Sequence, residues 1–455
     1  MTARRGLLSR HHREDDLRKG LTRLVLGTAL AALAVPVAAQ DYGKFDGYTL
    51  RVKLIGGAQY EPLFAEIPKW EAATGAKVEI VSSKNHFELD KEIKQDIAAG
   101  TLDWCVGSNH TSFAPQYGEI YTDLNGLIPP EVIADFVPLM IQHSTVNGRL
   151  VQMPRHSDVS NLFYQKSLYE DADKQTAFKT AYGYDLAPPE TWTQVSDQAK
   201  FFSNPPDFYG FQFVGKDEAI TGRFYEMLVA NGGAMFDDKW VPTFNSPEGV
   251  ASLQFFVDLY AAKAVPAGVP NYTWDDTGLG FGSGSIAMDL DWGGWSSYFN
   301  DPANSKVAGN VGLIRAPKGT GGKRTGWSGS HSFSITEACD NKPAASSFLT
   351  FLTSYDNQMV EARKGLLPTR SKVWVDAIAE FEASGNAFSA EVMKTFQLSM
   401  AEDAFTPPLI AEWIEVSNVL WPKLQAAMIG DMTAADALDA AQAEAATIMQ
   451  EAGYN

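Results

Sequence analysis

The sequence predicts an α/β fold, and three observations carry that expectation. Strand and helix periodicities alternate between residues 50 and 107. Hydrophobic residues make up 45% of the 455-residue chain against 20% charged, enough for a sizeable core and two or three domains. No segment beyond residue 39 approaches the roughly 20 continuous apolar residues of a membrane-spanning helix.

Leu50, Val52 and Leu54 alternate with Arg51 and Lys53, the period of a half-buried strand ending at Gly56-Gly57. Leu63, Ile67 and Trp70 follow at helical spacing. Pro68 kinks that helix or starts a second, because it has no amide proton for the ladder, and Gly75 stops it. Val78, Ile80 and Val81 make the next strand, and Leu89, Ile93 and Ile97 lie four apart on a helix that Gly100 closes. Residues 102–107 read as a third strand. This order implies a parallel sheet whose ligand crevice lies at the carboxyl ends of its strands, so the loops 56–61, 82–87 and 108–113 face one cleft.

A second block begins after Pro154, with a strand over 161–165, a Pro-rich turn at Pro188-Pro189 and a helix over 191–202. Ser246-Pro247 has N-cap and first-turn residues in place, and Val250, Leu253, Val257 and Tyr260 form the expected buried stripe of the next helix. Glycines then become dense from Gly278 to Gly329 among Trp292, Trp295 and Trp327. Linkers are poor in Trp, so this region reads as cleft wall plus crossover. The last hundred residues are helical, with Thr433 and Asp436 as a capping box.

Residues 1–39 differ from the rest. Seven Lys/Arg precede and border an apolar run from Leu24 to Val37 that ends in Val37-Ala38-Ala39, the form of a cleavable export signal. Arg4-Arg5 resembles a twin-arginine motif but stands far from the apolar core, which favours ordinary secretion to the periplasm. Losing these residues, with their three Asp/Glu, takes the net charge from −18 to −22. Such a charge repels phosphate backbones and argues against nucleic acid as a partner. Cys105 reads as a small buried hydrophobe, and export leaves a bridge to Cys339 open.

The chemistry-bearing patterns are mostly negative. Gly282-Ser283-Gly284-Ser285 and Gly326-Trp327-Ser328-Gly329-Ser330 do not fit a nucleophile elbow, and no phosphate-binding loop or zinc-protease motif occurs. His86, His110, His156 and His331 fall in cleft loops without metal-ligand spacing, so hydrogen bonding to a neutral ligand is the expectation, with no metal and no cofactor. Asp103, Asp158, Asp289 and Asp291 could supply a glycosidase pair, against a bland reading as surface carboxylates. Sugar recognition wants polar side chains in the ring plane and aromatics on its faces. Trp292, Trp295, Trp327 and Trp413 are the stacking candidates, and filling core is their alternative.

Ordered motifs add a resemblance. Trp70-Glu71-Ala72-Ala73-Thr74-Gly75, Asp96-Ile97-Ala98-Ala99-Gly100, Asn147-Gly148-Arg149-Leu150, Pro188-Pro189-Glu190-Thr191-Trp192, Phe244-Asn245-Ser246-Pro247-Glu248, Gly284-Ser285-Ile286-Ala287-Met288 and Gly365-Leu366-Leu367-Pro368-Thr369-Arg370 run in one order. Together they resemble the extracellular solute-binding proteins of carbohydrate ABC importers, the family that includes maltose-binding protein. Leu102-Asp103 and Tyr164-Gln165 depart from the family's common Pro-Asp and Tyr-Asn.

The resemblance implies a two-lobe periplasmic-binding-protein fold of type II, with the ligand cleft between lobes joined by several hinge crossovers. The expected lobes are residues 40–153 with 318–355, and 154–317 with 356–455. The implied function is that of an exported importer component that captures a sugar, oligosaccharide or polyol by hinge closure and delivers it to a membrane permease, acting as a monomer and not as an enzyme. An exported glycoside hydrolase or lyase is the alternative. By position in the family, the ligand-binding residues would be Gln59, Tyr60, Asn109, His110, His156, Asp158, Arg223, Trp292, Trp295, Trp327, Ser328, His331, Arg370 and Trp413, to which its cleft loop adds His86. Arg155, Arg223 and Arg370 keep an anionic ligand open.

Overall fold

The computed structural model describes residues 40–454, and the expected export segment lies outside them. Strand β1 (Thr49–Ile55) buries Leu50, Val52 and Leu54 completely. The helix after it is broken into Glu61–Phe64 and Ile67–Thr74, with Pro68 in the first turn of the second piece. A first-turn amide has no intrahelical acceptor, so proline costs nothing there. Gly75 ends the helix at φ 78°, a left-handed conformation that would strain a side chain. β2 (Lys77–Lys84) pairs parallel with β1, and helix His86–Ala99 follows. On that helix Leu89 and Ile93 are buried, whereas Ile97 is exposed.

The third strand, β3, is Val106–His110 and not residues 102–107. The shift has a local cause. The Asp103 amide turns back to the Thr101 carbonyl at 2.9 Å, and the Trp104 ring lies against Gly107, so pairing with β1 starts only where the Cys105 amide reaches the Arg51 carbonyl. His110 and Asn109 therefore sit on the strand and not in the loop beyond it.

A tight hairpin, β4 (Thr145–Val146) and β5 (Arg149–Leu150), turns through Asn147-Gly148 with both residues at positive φ. Then come β6 (Met153–Pro154), β7 (His156–Val159), β8 (Asn161–Gln165), β9 (Tyr209–Phe213), β10 (Ile286–Asp291), β11 (Val311–Arg315), β12 (Gly326–Gly329), β13 (His331–Ile335), β14 (Leu367–Pro368) and β15 (Ala404–Phe405). One sheet has the order β2-β1-β3-β13-β6, a second β11-β8-β10-β9, and a small third β14-β7-β12-β15. The first is parallel through β2, β1 and β3, then antiparallel through β13. Its core includes Trp70, Phe333, Phe348 and Leu349.

The chain crosses from the first sheet to the small one at Arg155, between β6 and β7, and at Ser330, between β12 and β13. Both residues are buried. Helix Pro247–Ala261 is capped by Ser246, but its buried face is Gly249, Ser252, Leu253, Phe256 and Leu259. Of the expected stripe only Leu253 is fully buried, and small residues take part of the buried face, Ser252 accepting from Asn231 and Gly249 lying against Phe244 and Leu228. Thr433 accepts from the Asp436 amide at the start of helix Ala434–Glu451. No described helix is long and apolar enough to cross a membrane.

Cys105 and Cys339 are joined in a disulfide, which settles the alternative that the sequence left open, and Cys105 is buried as well. Antiparallel pairing of β13 with β3 leads Thr336 to donate to the Cys105 carbonyl at 2.9 Å, and the next turn returns Cys339 to it. The bridge closes a sequence separation of 234 residues. Replacing both cysteines with serine is expected to cost about 2–5 kcal/mol of stability, read as a lowered urea midpoint. An unchanged midpoint would show that the bridge contributes nothing.

Candidate functional site

Six polar side chains converge where the first sheet's strands end. After β1, Gly57 at φ 127° turns the chain so that Tyr60 points inward, fully buried. After β2, Asn85 accepts from the Glu88 amide at 3.0 Å and caps the helix that His86 begins. β3 ends in His110, directly opposite His331, the first residue of β13. From the crossover strand β7 come His156 and Asp158.

His331 is the centre of this group. Its ring lies 5.0 Å from His86, 5.7 Å from His110 and 5.0 Å from His156, measured between centroids. The Tyr60 hydroxyl hydrogen-bonds to its Nδ1. Asp158 accepts from the Gly329 amide at 2.7 Å and stands 3.6 Å from His156 Nε2. Behind Tyr60, the Arg155 guanidinium stacks on the ring at 3.8 Å, donates to the Gln59 carbonyl at 2.8 Å and pairs with buried Glu361 at 2.8 Å.

Burial decides the protonation of the imidazoles. It lowers His86 to about 3 and His110 to about 4, and lowers His156 and His331 as well. All four are neutral at pH 7, so each ring offers one donor and one acceptor. For Asp158 burial pushes upward, but the hydrogen bond from His156, the neighbouring imidazoles and the Gly329 amide outweigh it and hold the carboxylate below its ordinary range. The site is thus a neutral imidazole wall with one fixed negative charge.

A second group adjoins it. The Arg223 guanidinium stacks on Trp292 at 4.0 Å and is tied to Ser160 at 2.5 Å and Glu226 at 2.9 Å. Trp292 donates to the Trp327 carbonyl at 3.3 Å. Trp327 is only 4% exposed, against Gly222 and Trp413, and Trp413 has no exposed surface. The Trp413 indole donates at 2.6 Å to Glu218, which Ser112 also reaches at 3.3 Å, and Ser112 in turn bonds to His110 Nδ1 at 2.7 Å. This relay joins the imidazole group to the second one. Burial lifts Glu218 to about 7 despite the two hydrogen bonds.

The other expected site residues lie elsewhere. Asn109, one residue from His110 on β3, points to the opposite face and bonds to Tyr121 and Gln152. Ser328 donates to Met400 sulfur at 3.6 Å, and Trp295 packs on Gly278, Trp274 and Phe299. Arg370 pairs with Asp135 at 2.8 Å over the Phe136 ring. Gln59 meets the group through its backbone carbonyl. Among the carboxylates, Asp103 is exposed and paired with Arg51, whereas Asp289 and Asp291 are buried on β10 with pKa raised by burial, Asp291 to about 7. Among the described residues, only Cys105, Cys339 and Asp340 bring three metal-ligand atoms close together, and the disulfide leaves no thiolate there.

Sequence reasoning did not single out Ser112, Glu218 or Glu361. Glu218 and Glu361 depend on partners more than 100 positions away, whereas Ser112 stands in the 108–113 loop two residues from His110, to which it bonds.

The model of the bacterial extracellular solute-binding protein family matches residues 53–359. The chain belongs to that family. Among curated relatives, a "Mannitol-binding protein" of Pseudomonas aeruginosa is 25% identical over 347 residues, 73% of this chain and 76% of that one. A "Probable amino-acid ABC transporter periplasmic-binding protein" of Sinorhizobium fredii is 26% identical over 94% of this chain and 96% of its own. Among solved structures, maltose-bound T. maritima MalE3 is 28% identical with a TM-score of 0.75, covering 88% of this chain and 99% of that one. The two-lobe fold of periplasmic binding proteins is therefore this solute-binding protein's fold, and its relatives are binding proteins.

Proposed function

We propose that this protein is the exported substrate-binding component of an ABC importer. It captures a sugar, oligosaccharide or related polyol without altering it and hands it, as a periplasmic monomer, to the membrane permease. The observation that supports this reading best is the convergence of four neutral imidazoles, Tyr60 and Asp158 beside Trp292. Hydroxyl groups both donate and accept, and neutral imidazoles answer both roles. Trp292, half-buried like Trp295 but tied to Arg223 and Trp327, keeps surface to stack on a ring face.

In this reading the lobes are residues 40–153 with 318–355 and residues 154–317 with 356–455, and the crossovers near Pro154, 317–326 and Ser354 act as hinges. Ligand closes the lobes through contacts that the closed form makes better. Gln59, Tyr60, His86, His110, His156, Asp158, His331, Arg223 and Trp292 form the proposed site. Trp327 and Trp413 shape it from behind.

Replacing Trp292 with Ala is expected to weaken binding of the best carbohydrate ligand at least tenfold, about 1.4 kcal/mol, by calorimetric titration. An unchanged affinity would remove Trp292 from the site. Turnover is the discriminator against the hydrolase alternative: incubation with oligosaccharides should raise the melting midpoint and yield no cleaved product.

A further inference from the structure

The positively charged groups near the proposed site are already neutralised from within the chain. Arg155 is paired with Glu361 and Arg223 with Glu226, and farther from the site Arg370 is paired with Asp135. Lys53, the buried lysine of β1, is held by Glu92 and Asp96 at 2.6 and 2.5 Å. A carboxylate or phosphate on a ligand would have to compete with these partners.

Two helix N-termini beside the site are filled in the same way. Helix His86–Ala99 carries Glu88 in its first turn, with the Asn85 side chain on the Glu88 amide. Helix Asp217–Ala230 carries Asp217 and Glu218 in its first turn, and Glu218 is itself fixed by Trp413 and Ser112. Helix N-termini attract anions through free amides and the aligned peptide dipoles, and here acidic side chains already take that place.

What remains uncompensated is negative. Asp158 faces His156, with His110, His86 and Tyr60 within reach of its charge, and the imidazoles are neutral. Resting on the carbohydrate reading above, we propose that the site selects uncharged polyhydroxy ligands and rejects sugar acids, sugar phosphates and amino acids, with Asp158 as the discriminating residue. The imidazoles supply hydrogen bonds that any hydroxyl can answer. Asp158 accepts from a hydroxyl but repels a carboxylate, and burial weakens the screening that water would otherwise provide.

The test is calorimetric titration at pH 7.5 with matched pairs, D-sorbitol against D-gluconate, D-glucose against D-glucuronate and D-mannitol against mannitol 1-phosphate, with L-glutamate and L-leucine added. The neutral member of the pair that binds should do so at least about 100-fold more tightly than its acid, in line with one unscreened like-charge contact. Asp158→Asn should narrow that gap to under about tenfold, the acid gaining more than the neutral compound loses. An acid bound as tightly as its neutral partner by the wild-type protein, which needs no variant to fold, overturns this inference and leaves the carbohydrate reading standing. So does a gap unchanged in a folded Asp158→Asn protein. An amino acid bound in place of every carbohydrate, or silence across the whole panel, overturns both.

Discussion

Replacing Arg155 with Ala is expected to lower stability by about 3–5 kcal/mol, because it strands the Glu361 carboxylate in the interior. Arg155 is 1% exposed and Glu361 3%, and the guanidinium holds Glu361, the Gln59 carbonyl and the Tyr60 ring at once. Burial already raises the Glu361 pKa, with Arg155 the opposing influence, so losing Arg155 leaves protonation as the remaining escape. The double variant Arg155→Met with Glu361→Leu removes both charges and should recover most of the loss. Urea unfolding of the three proteins checks this. A single variant losing less than about 1 kcal/mol would mean that water reaches Glu361 and that the pair is not closed off. Ligand affinity should stay weakened in the double variant, since Tyr60 loses the cation that fixes its ring.

Acid should release the ligand. Ordinary imidazoles titrate near 6.5, while burial in the assembled cluster holds His86 at about 3 and His110 at about 4, with His156 and His331 lowered too. A group whose pKa is depressed in the assembled cluster takes up protons when the cluster comes apart. The assembled cluster is therefore favoured above about 6.5 and is lost progressively as pH falls from there toward these depressed values. Glu218 acts in the opposite sense, since burial raises it to about 7 and closure below that value keeps its proton. Four imidazoles outweigh one carboxyl. Asp158, kept ionised below its ordinary range, can compensate only one of the charges that protonation would create beside Arg155. Affinity is expected to fall at least tenfold between pH 7.5 and 5.5, with net proton release on binding seen by titration in buffers of different ionisation enthalpy. A dissociation constant that is flat over this range would show that the imidazoles stay wet in the bound state.

Much of the fold was legible locally. The alternation of Leu50, Val52 and Leu54, the restart at Pro68 and the stops at Gly75 and Gly100 are all where a short-range reading places them. Capping by Ser246 and Thr433 is equally local. The reading slipped where another contact competed with the pattern, local at β3 and tertiary at the later helix. Trp104 folding onto Gly107 delays β3, and neighbouring helices rotate the buried face of Pro247–Ala261 away from Val250 and Tyr260.

By itself, the sequence determined the order of strands and helices through β3 and the family, and it singled out the four histidines that cluster, because these rest on periodicity, caps and motifs within a few residues of one another. Only the tertiary structure decided that Cys105 meets Cys339, that Glu361 neutralises Arg155, and that Asn109 turns away while His110 turns in. Each of these is a choice of partner or face made by β3, β7 and β13 coming together over large sequence separations. Charge balance in a buried site is a sum over such partners, so local spacing does not encode it.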